Sequence, residues 1–371
     1  MRKIFVTLSL LLFAGFVPAL NPISLDNFDD AVHHWQMGRS AQYARYAANQ
    51  IREIGDNIIL LQHNNGGWVQ NLDPARILTN EEIAQYQSQK NDETASFDNR
   101  NIYSQIEYLM AVYAQTGDEK YKSSAILGLD YVLAQQIPNC GGWPHSLPPT
   151  QSYHHKITIA DEVFSGNLGL LRNIAFAKAP FQSLDTQIRH RATDALNRGD
   201  ECLLRLQIRQ NGILTGWAGQ YDPITLAPSQ GRRFELPAIV SQETVEVLRY
   251  LMSIEQPSAG QIDAIESGVA WLRRSQITGI RYETFNTGEN TQFQYHTTNQ
   301  DRRLVADSAA RPLWARFYDL NDNSVVLATR DGVRVAQFSD IPRERRTGYS
   351  WYGYWPQPLL AVDYIAWKRL H

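Results

Sequence analysis

The sequence predicts a mainly α-helical chain, an (α/α) toroid of repeated helix pairs with a small antiparallel β-sheet part near the C-terminus. Three observations carry this expectation. A Leu-rich helical stretch leads into a Gly/Trp loop three times, at Asn65-Gly66-Gly67-Trp68, Asn139-Cys140-Gly141-Gly142-Trp143 and Asn211-Gly212 with Gly216-Trp217, and its tryptophans lie 75 and 74 residues apart. A weaker fourth copy runs from Trp271 to Gly279. Between copies, apolar residues recur at helical spacing. The last third then changes to short β-patterned runs separated by turn residues.

The elements follow in order. Met1, Arg2 and Lys3 are a basic start, and residues 4–17 are almost wholly apolar, ahead of Pro18 and Ala19. That run is shorter than the roughly 20 apolar residues a bilayer span needs. It reads as a signal peptide over residues 1–20, cut near Ala19, leaving residues 21–371 as one domain that is exported, secreted or periplasmic, and free of membrane. In copy one to two, Ile102, Ile106, Leu109, Met110 and Tyr113 share a helix face and Gly117 stops it. A second helix over residues 121–133 carries Ala125, Leu129 and Val132 on one face. Each unit of about 75 residues holds two helices and a long loop, and such pairs bury their apolar faces by closing round an axis. The Gly-Gly-Trp loops then gather at one end, each Trp at the rim of a cleft. Residues 280–345 read as the β-rich insert, with strands around Trp314, Val326 and Val333, turns at Asn321-Asp322-Asn323 and Asp331-Gly332, and a long polar loop over residues 286–310. Helix resumes over residues 354–369.

Composition bounds the function. The 371 residues are 43% hydrophobic and 20% charged, as a folded globule requires, and the net charge of -3 argues against a nucleic-acid binder held by a general basic field. The basic residues are 28 Arg against 7 Lys. Arg matches carboxylates with a planar fork, and a GC-rich codon bias gives the same excess. Cys140 and Cys202 fit either a disulfide in an oxidising compartment or two buried thiols.

Two acidic points stand at equivalent places in adjacent repeats: Asp98-Asn99 and Asp161-Glu162. Each alone reads as a helix N-cap. Together they suit a hard cation such as calcium, or the acid/base pair of a glycosidase, and spacing does not separate the two. Arg232-Arg233-Phe234-Glu235, Arg316 among Trp314, Phe317 and Tyr318, Arg330 beside a turn, and Arg345-Arg346 are the basic candidates. A partly buried Arg316 needs an anionic partner. The adjacent pairs His33-His34 and His154-His155 cannot share a face, so zinc is not expected from either and a structural or substrate-contacting role is. Phosphate-loop, CxxC, HExxH and GxSxG patterns are missing from the sequence.

Assembled, these pieces resemble a pectate lyase of polysaccharide lyase family 10 over residues 35–369. The resemblance rests on Asn65-Gly66-Gly67-Trp68, Phe97-Asp98-Asn99, Asn139-Cys140-Gly141-Gly142-Trp143-Pro144, Ile157-Thr158-Ile159-Ala160-Asp161, Tyr221-Asp222-Pro223, Arg233-Phe234-Glu235, Trp314-Ala315-Arg316-Phe317-Tyr318, Arg330-Asp331-Gly332 and Arg346-Thr347-Gly348-Tyr349. It implies an (α/α) toroid and calcium-dependent β-elimination of polygalacturonate or oligogalacturonides by a monomer. By position, Asp98, Asn99 and Asp161 would handle calcium, Arg233 would take the C5 proton, and Arg316 and Arg330 would hold uronate carboxylates. Trp143, His155 and Tyr349 complete the expected substrate contacts. An Arg base, with a pKa above about 12, implies activity that improves at alkaline pH. Three positions depart from the family pattern: Val69-Gln70 for Pro-Lys, Arg100 for Gly after Asp-Asn, and Ala160 for Asn before the acid. Two rival readings are a uronate-binding homologue without catalysis and a glycoside hydrolase using Asp98 and Asp161.

Overall fold

The computed structural model describes residues 20–371 except 38, 40 and 41. The expected leader, apart from its last position, and its cleavage point near Ala19 lie outside the described residues. The chain is mainly helical. Its helices are α1 (Asp29–Met37), α2 (Ile51–Leu61), α3 (Asn80–Ser88), α4 (Tyr103–Thr116), α5 (Glu119–Ala134), α6 (Val163–Ala175), α7 (Thr186–Arg205), α8 (Ser241–Met252), α9 (Ala259–Arg274), α10 (Arg343–Thr347), α11 (Pro356–Pro358) and, after a π-turn at Leu359–Asp363, α12 (Tyr364–Lys368).

Local chemistry sets the ends. Thr79 and Glu82 form a capping box on α3, and Ser258 and Gln261 form one on α9. The side chains of Asp118 and Asp185 accept from backbone N–H groups at the starts of α5 and α7. Helix α4 stops where expected, at Gly117, whose φ of +67° and N–H to the Tyr113 carbonyl make a left-handed C-cap. In α2, Ile51, Ile54, Ile58 and Leu61 form the apolar stripe that packs the helix on α4 and α5.

The helices pair as the repeat predicts: α4 with α5, α6 with α7, α8 with α9. The pairs also stack in two rows, α4–α6–α8 and α5–α7–α9, with α11 against α8. The Gly-Gly-Trp loops join the rows. Gly66 has φ +96°, and a Cβ there would meet the Leu127 carbonyl oxygen of α5 at 2.3 Å; Gly141 has φ +114°, and a Cβ would meet the Arg198 carbonyl oxygen of α7 at 2.6 Å. Only glycine allows that approach of loop to neighbouring helix. Cys140 in the second loop is disulfide-bonded to Cys202 of α7, which decides between the two cysteine readings.

Two expectations are corrected. The loop tryptophans are core, not rim. Trp68, Trp143 and Trp217 are buried, and each indole N–H donates at 2.8 Å to a helix carbonyl, of Ile58, Val132 and Leu203 respectively. Trp314 repeats the device on the Leu272 carbonyl at 2.8 Å. An apolar ring with one donor is well matched to a buried helix end that has spare acceptors. The β part also differs. Among the described residues, strands occur only as two-stranded pairs. The largest is an antiparallel hairpin of Ile280–Gln292 with Thr297–Ala306, which occupies most of the stretch expected to be a loop. Only its base is apolar, where Ile280, Tyr282 and Leu304 pack on the core; beyond Thr284 the strands are mostly polar, so alternation does not mark their length. The Trp314–Ala315 and Phe317–Tyr318 strands pair with Tyr352–Gly353 and Ile239–Val240 instead of with each other. They stitch the C-terminal third onto the start of α8.

Candidate active site

Asp98 and Asp161 reach the same cleft because two matching turns precede α4 and α6. Asn99 and Arg100 have φ of +55° and +59°; Asp161 and Glu162 have +55° and +58°. The cap reading of both acids is overturned. The N-cap positions are Ile102 and Glu162, and neither helix start has a side-chain cap bond. The left-handed pair redirects the chain, so the acids face a cleft of about 540 Å³ in place of the helix end.

That cleft is also lined by Asp30 and His34 of α1, Gln70, Asn99, His145, His154, Arg232, Glu235, Glu243, Arg316, Tyr349 and Trp355. Asp98 is buried. Its Oδ2 lies 3.3 Å from His145 Nε2 and accepts from Gln70 Nε2 at 3.4 Å, while its Oδ1 has no partner. Asp161 lines the same cleft, and the two carboxyls lie close enough for their charges to interact. Burial pushes Asp98 up, but His145 beside it outweighs that and holds this carboxyl below its usual value. Burial, then the neighbouring Asp98 charge, push Asp161 well above its usual value. The two acids therefore repel one another, and Asp161 is the member pushed toward its protonated form.

A hard cation fits this pair. It would neutralise the repulsion and engage the orphaned Asp98 Oδ1. Asn99 adds an amide whose Nδ2 donates to Asn71 Oδ1 at 2.8 Å, which leaves its own Oδ1 available. Among the described residues, no group of three or more His, Cys, Asp or Glu side chains could hold a metal alone. The remaining ligands would have to come from water or substrate.

The opposite wall is basic. Arg232 keeps 48% of its side chain open, yet is flanked by protein on most sides. Its Nε and Nη2 contact Glu235 Oε1 at 3.0 and 2.5 Å. Burial alone would lower its pKa; Glu235 and Tyr349 reverse that and hold the guanidinium charged. Arg316 is buried and has the anionic partner it needs, with Nη2 at 2.7 Å from Glu243 Oε1 and Nε unpartnered. The Tyr349 ring lies between the two, 5.4 Å from the Arg232 guanidinium and 4.9 Å from that of Arg316, and its hydroxyl donates to Glu235 Oε1 at 2.8 Å.

Asp98, Asn99, Asp161, Arg316 and Tyr349 are thus brought together as expected. Four residues are not. Arg233 is exposed and outside the cleft lining; its neighbour Arg232 lines it. His155 is exposed, and its neighbour His154 lines the cleft, stacked on His145 at 4.8 Å. Trp143 is core. Arg330 lies outside the lining, paired with Glu344 and over the Tyr295 ring. Of the departures, Gln70 lines the cleft beside Asp98, and Arg100 does not enter it. Sequence reasoning missed Glu243 and His145. The only available signal for Glu243 was a charge in the first turn of an otherwise apolar-faced helix; nothing marked His145.

The pattern of the family described as pectic acid lyase matches residues 62–360. No curated protein matches the chain. Two solved structures are similar to it at 27% identity, each covering 93% of this chain and 99% of the other. One is a family 10 polysaccharide lyase from Cellvibrio cellulosa, with a TM-score of 0.70. The second, with a TM-score of 0.69, is a variant of a family 10 polysaccharide lyase from the same organism in complex with trigalacturonic acid.

Proposed function

The chain belongs to the pectic acid lyase family and is a polysaccharide lyase, and from that premise we propose that it cleaves polygalacturonate by calcium-assisted β-elimination with Arg232, not Arg233, as the base. The observation that carries the reading is the cleft itself. It sets the Asp98–Asp161 pair opposite Arg232 and Arg316, with Tyr349 between the two guanidiniums.

The reaction needs this division. The C5 proton of galacturonate is α to a carboxylate, so its removal builds negative charge on that group. The C5–H electrons form the C4=C5 double bond, the C4–O bond breaks, and the departing oxygen takes a proton from water. Calcium, when bound by Asp98, Asp161 and Asn99, supplies positive charge to the acid wall and the uronate. Arg316, which lines the cleft while paired with Glu243, adds positive charge beside the uronate. Arg232 lies beside it as the proton acceptor. Because Glu235 and Tyr349 favour its charged form, the neutral base accumulates only as pH rises, and turnover is expected to climb into the alkaline range.

The same reading takes the two helix rows as closing into an (α/α) toroid and the chain as exported. The Cys140–Cys202 bond suits an oxidising compartment, and among the described residues no helix is long and apolar enough to cross a membrane.

The test is ultraviolet absorbance of the unsaturated uronate on polygalacturonate, across pH, with calcium and with chelator. Absorbance should rise with calcium, faster at alkaline pH, and fall away with chelator. Reducing sugar without absorbance would mean hydrolysis, and neither product at any alkaline pH would end the lyase reading.

A further inference from the structure

Arg100 is the one departure that the cleft chemistry leaves without a role. It stands in the left-handed region at φ +59°, where a side chain is strained, directly after Asn99. Glu162 stands in the same conformation at φ +58°, directly after Asp161. The two strained residues hold each other, with Arg100 Nη2 2.8 Å from Glu162 Oε1. Tyr103, the first residue of α4, donates from its hydroxyl to Glu162 Oε2 at 2.9 Å. The Ser104 hydroxyl donates to the Arg100 carbonyl at 2.6 Å.

Arg100 also reaches a third element. Its Nε lies 3.4 Å from Asp30 Oδ2 on α1. Asp30 and His34, four residues apart on one face of α1, both line the cleft. The turn before α1 is anchored by buried Phe28 against Tyr108, and by Asn27 to Glu107. The buried residues of α1 are Ala31 and Trp35, and the Trp35 ring is sandwiched between the guanidiniums of Arg39 at 3.7 Å and Arg76 at 3.8 Å. That sandwich anchors the distal end of the helix, and the Asp30–Arg100 contact adds a tie from its first turn to the acid-bearing turns.

We propose that Arg100 is a positioning residue: its guanidinium clasps Glu162 and Asp30, sets the spacing of the two turns that carry Asp98 and Asp161, and holds α1 as a wall of the cleft. Charge explains why the clasp matters. Without the guanidinium, the Asp30 and Glu162 carboxylates are left with no shared counter-charge, and the turns lose their charged cross-link, leaving the Tyr103–Glu162 hydrogen bond. The role in substrate binding rests on the lyase reading.

The test uses Arg100→Gly, Glu162→Gln and the double variant. Glycine accepts the left-handed turn freely, so Arg100→Gly is expected to melt no lower than the parent. Calorimetry reads trigalacturonate affinity with calcium present, and the ultraviolet assay reads KM and kcat. A half-exposed ion pair contributes up to ~1 kcal/mol, which is about fivefold in affinity. We expect Kd and KM to rise by about that factor in each single variant, with kcat changed less, and the double variant to be no worse than either single. Arg100→Gly with Kd and KM unchanged overturns the clasp, whether or not its melting temperature moves, and so do fully additive effects in the double variant. A parent that binds trigalacturonate but yields no unsaturated product would sink the lyase reading instead, and the calorimetry would still judge the clasp.

Discussion

A guanidinium beside a carboxylate is a poor base until something takes its proton, and Arg232 stands beside Glu235. This sets what substitution should do. Arg232→Ala is expected to lower kcat by ~10²–10⁴-fold with a small change in KM, as loss of a general base does. Arg233→Ala, on an exposed side chain with no ion pair among the described residues, is expected to leave kcat within about twofold of the parent, a surface substitution away from the machinery. Initial rates of unsaturated uronate release on polygalacturonate decide it. A collapse of kcat in Arg233→Ala with Arg232→Ala intact would return the role to the position read from the sequence. The slip between these two, and the parallel slip between His155 and His154, have one cause. Adjacent residues point to different sides of an irregular loop, and a motif gives the loop without its phase. Arg316 has a fixed phase because it sits between two paired strands, Trp314–Ala315 on Tyr352–Gly353 and Phe317–Tyr318 on Ile239–Val240, which hold it from both sides.

At the scale of elements, the repeat was legible in its helices and misleading in its tryptophans. Helices α4 and α5 announce themselves by apolar spacing and a glycine stop. A Trp after two glycines signals a loop, but not which side of the loop is buried. The indole N–H decides that, because a buried donor needs an acceptor and the end of the preceding helix offers one. Trp143→Phe keeps most of the ring and removes the bond to the Val132 carbonyl. It is expected to cost ~1–3 kcal/mol in chemical denaturation while KM stays at the parent value. A raised KM at unchanged stability would restore the substrate-contact reading of Trp143. The hairpin at Ile280–Gln292 and Thr297–Ala306 was illegible for a different reason. Its pairing is backbone to backbone, and beyond the apolar base at Ile280, Tyr282 and Leu304 its side chains are mostly polar.

For the whole molecule, the acid pair couples cleft to stability. Folding raises Asp161, through burial and then Asp98, so the folded chain holds that proton more tightly than the unfolded one. The contribution to stability is full below the ordinary Asp value, about 3.9, and is lost as pH rises through the raised value. Asp98 runs the other way: it is lowered, so its contribution is present above about 3.9 and lost as pH falls through its lowered value. At neutral pH without a cation, Asp161 is the liability. Asp161→Asn in chelator is expected to melt above the parent at pH 7–8, with the gap closing toward pH 4. Calcium should raise the parent's melting temperature, by ~2.7 kcal/mol of linkage at a hundred times its Kd, and leave Asp161→Asn nearly unmoved. Calorimetric scans in calcium and in chelator measure both effects. A parent indifferent to calcium would remove the cation from the acid pair.

The sequence by itself determined the helix pairs, their period, the family, and the identity of most charged residues in the cleft. Those properties are written locally, in apolar spacing, caps, glycines and short motifs. Tertiary structure alone decided which of two neighbouring arginines or histidines faces the cleft, that Cys140 meets Cys202, and that Asp98 and Asp161 face one cleft in place of capping helices. It also paired Arg316 with Glu243, 73 residues away. These depend on the rotation of a loop and on contacts between distant segments. Burial, repulsion and hydrogen bonding at short range act only once the fold has set those distances.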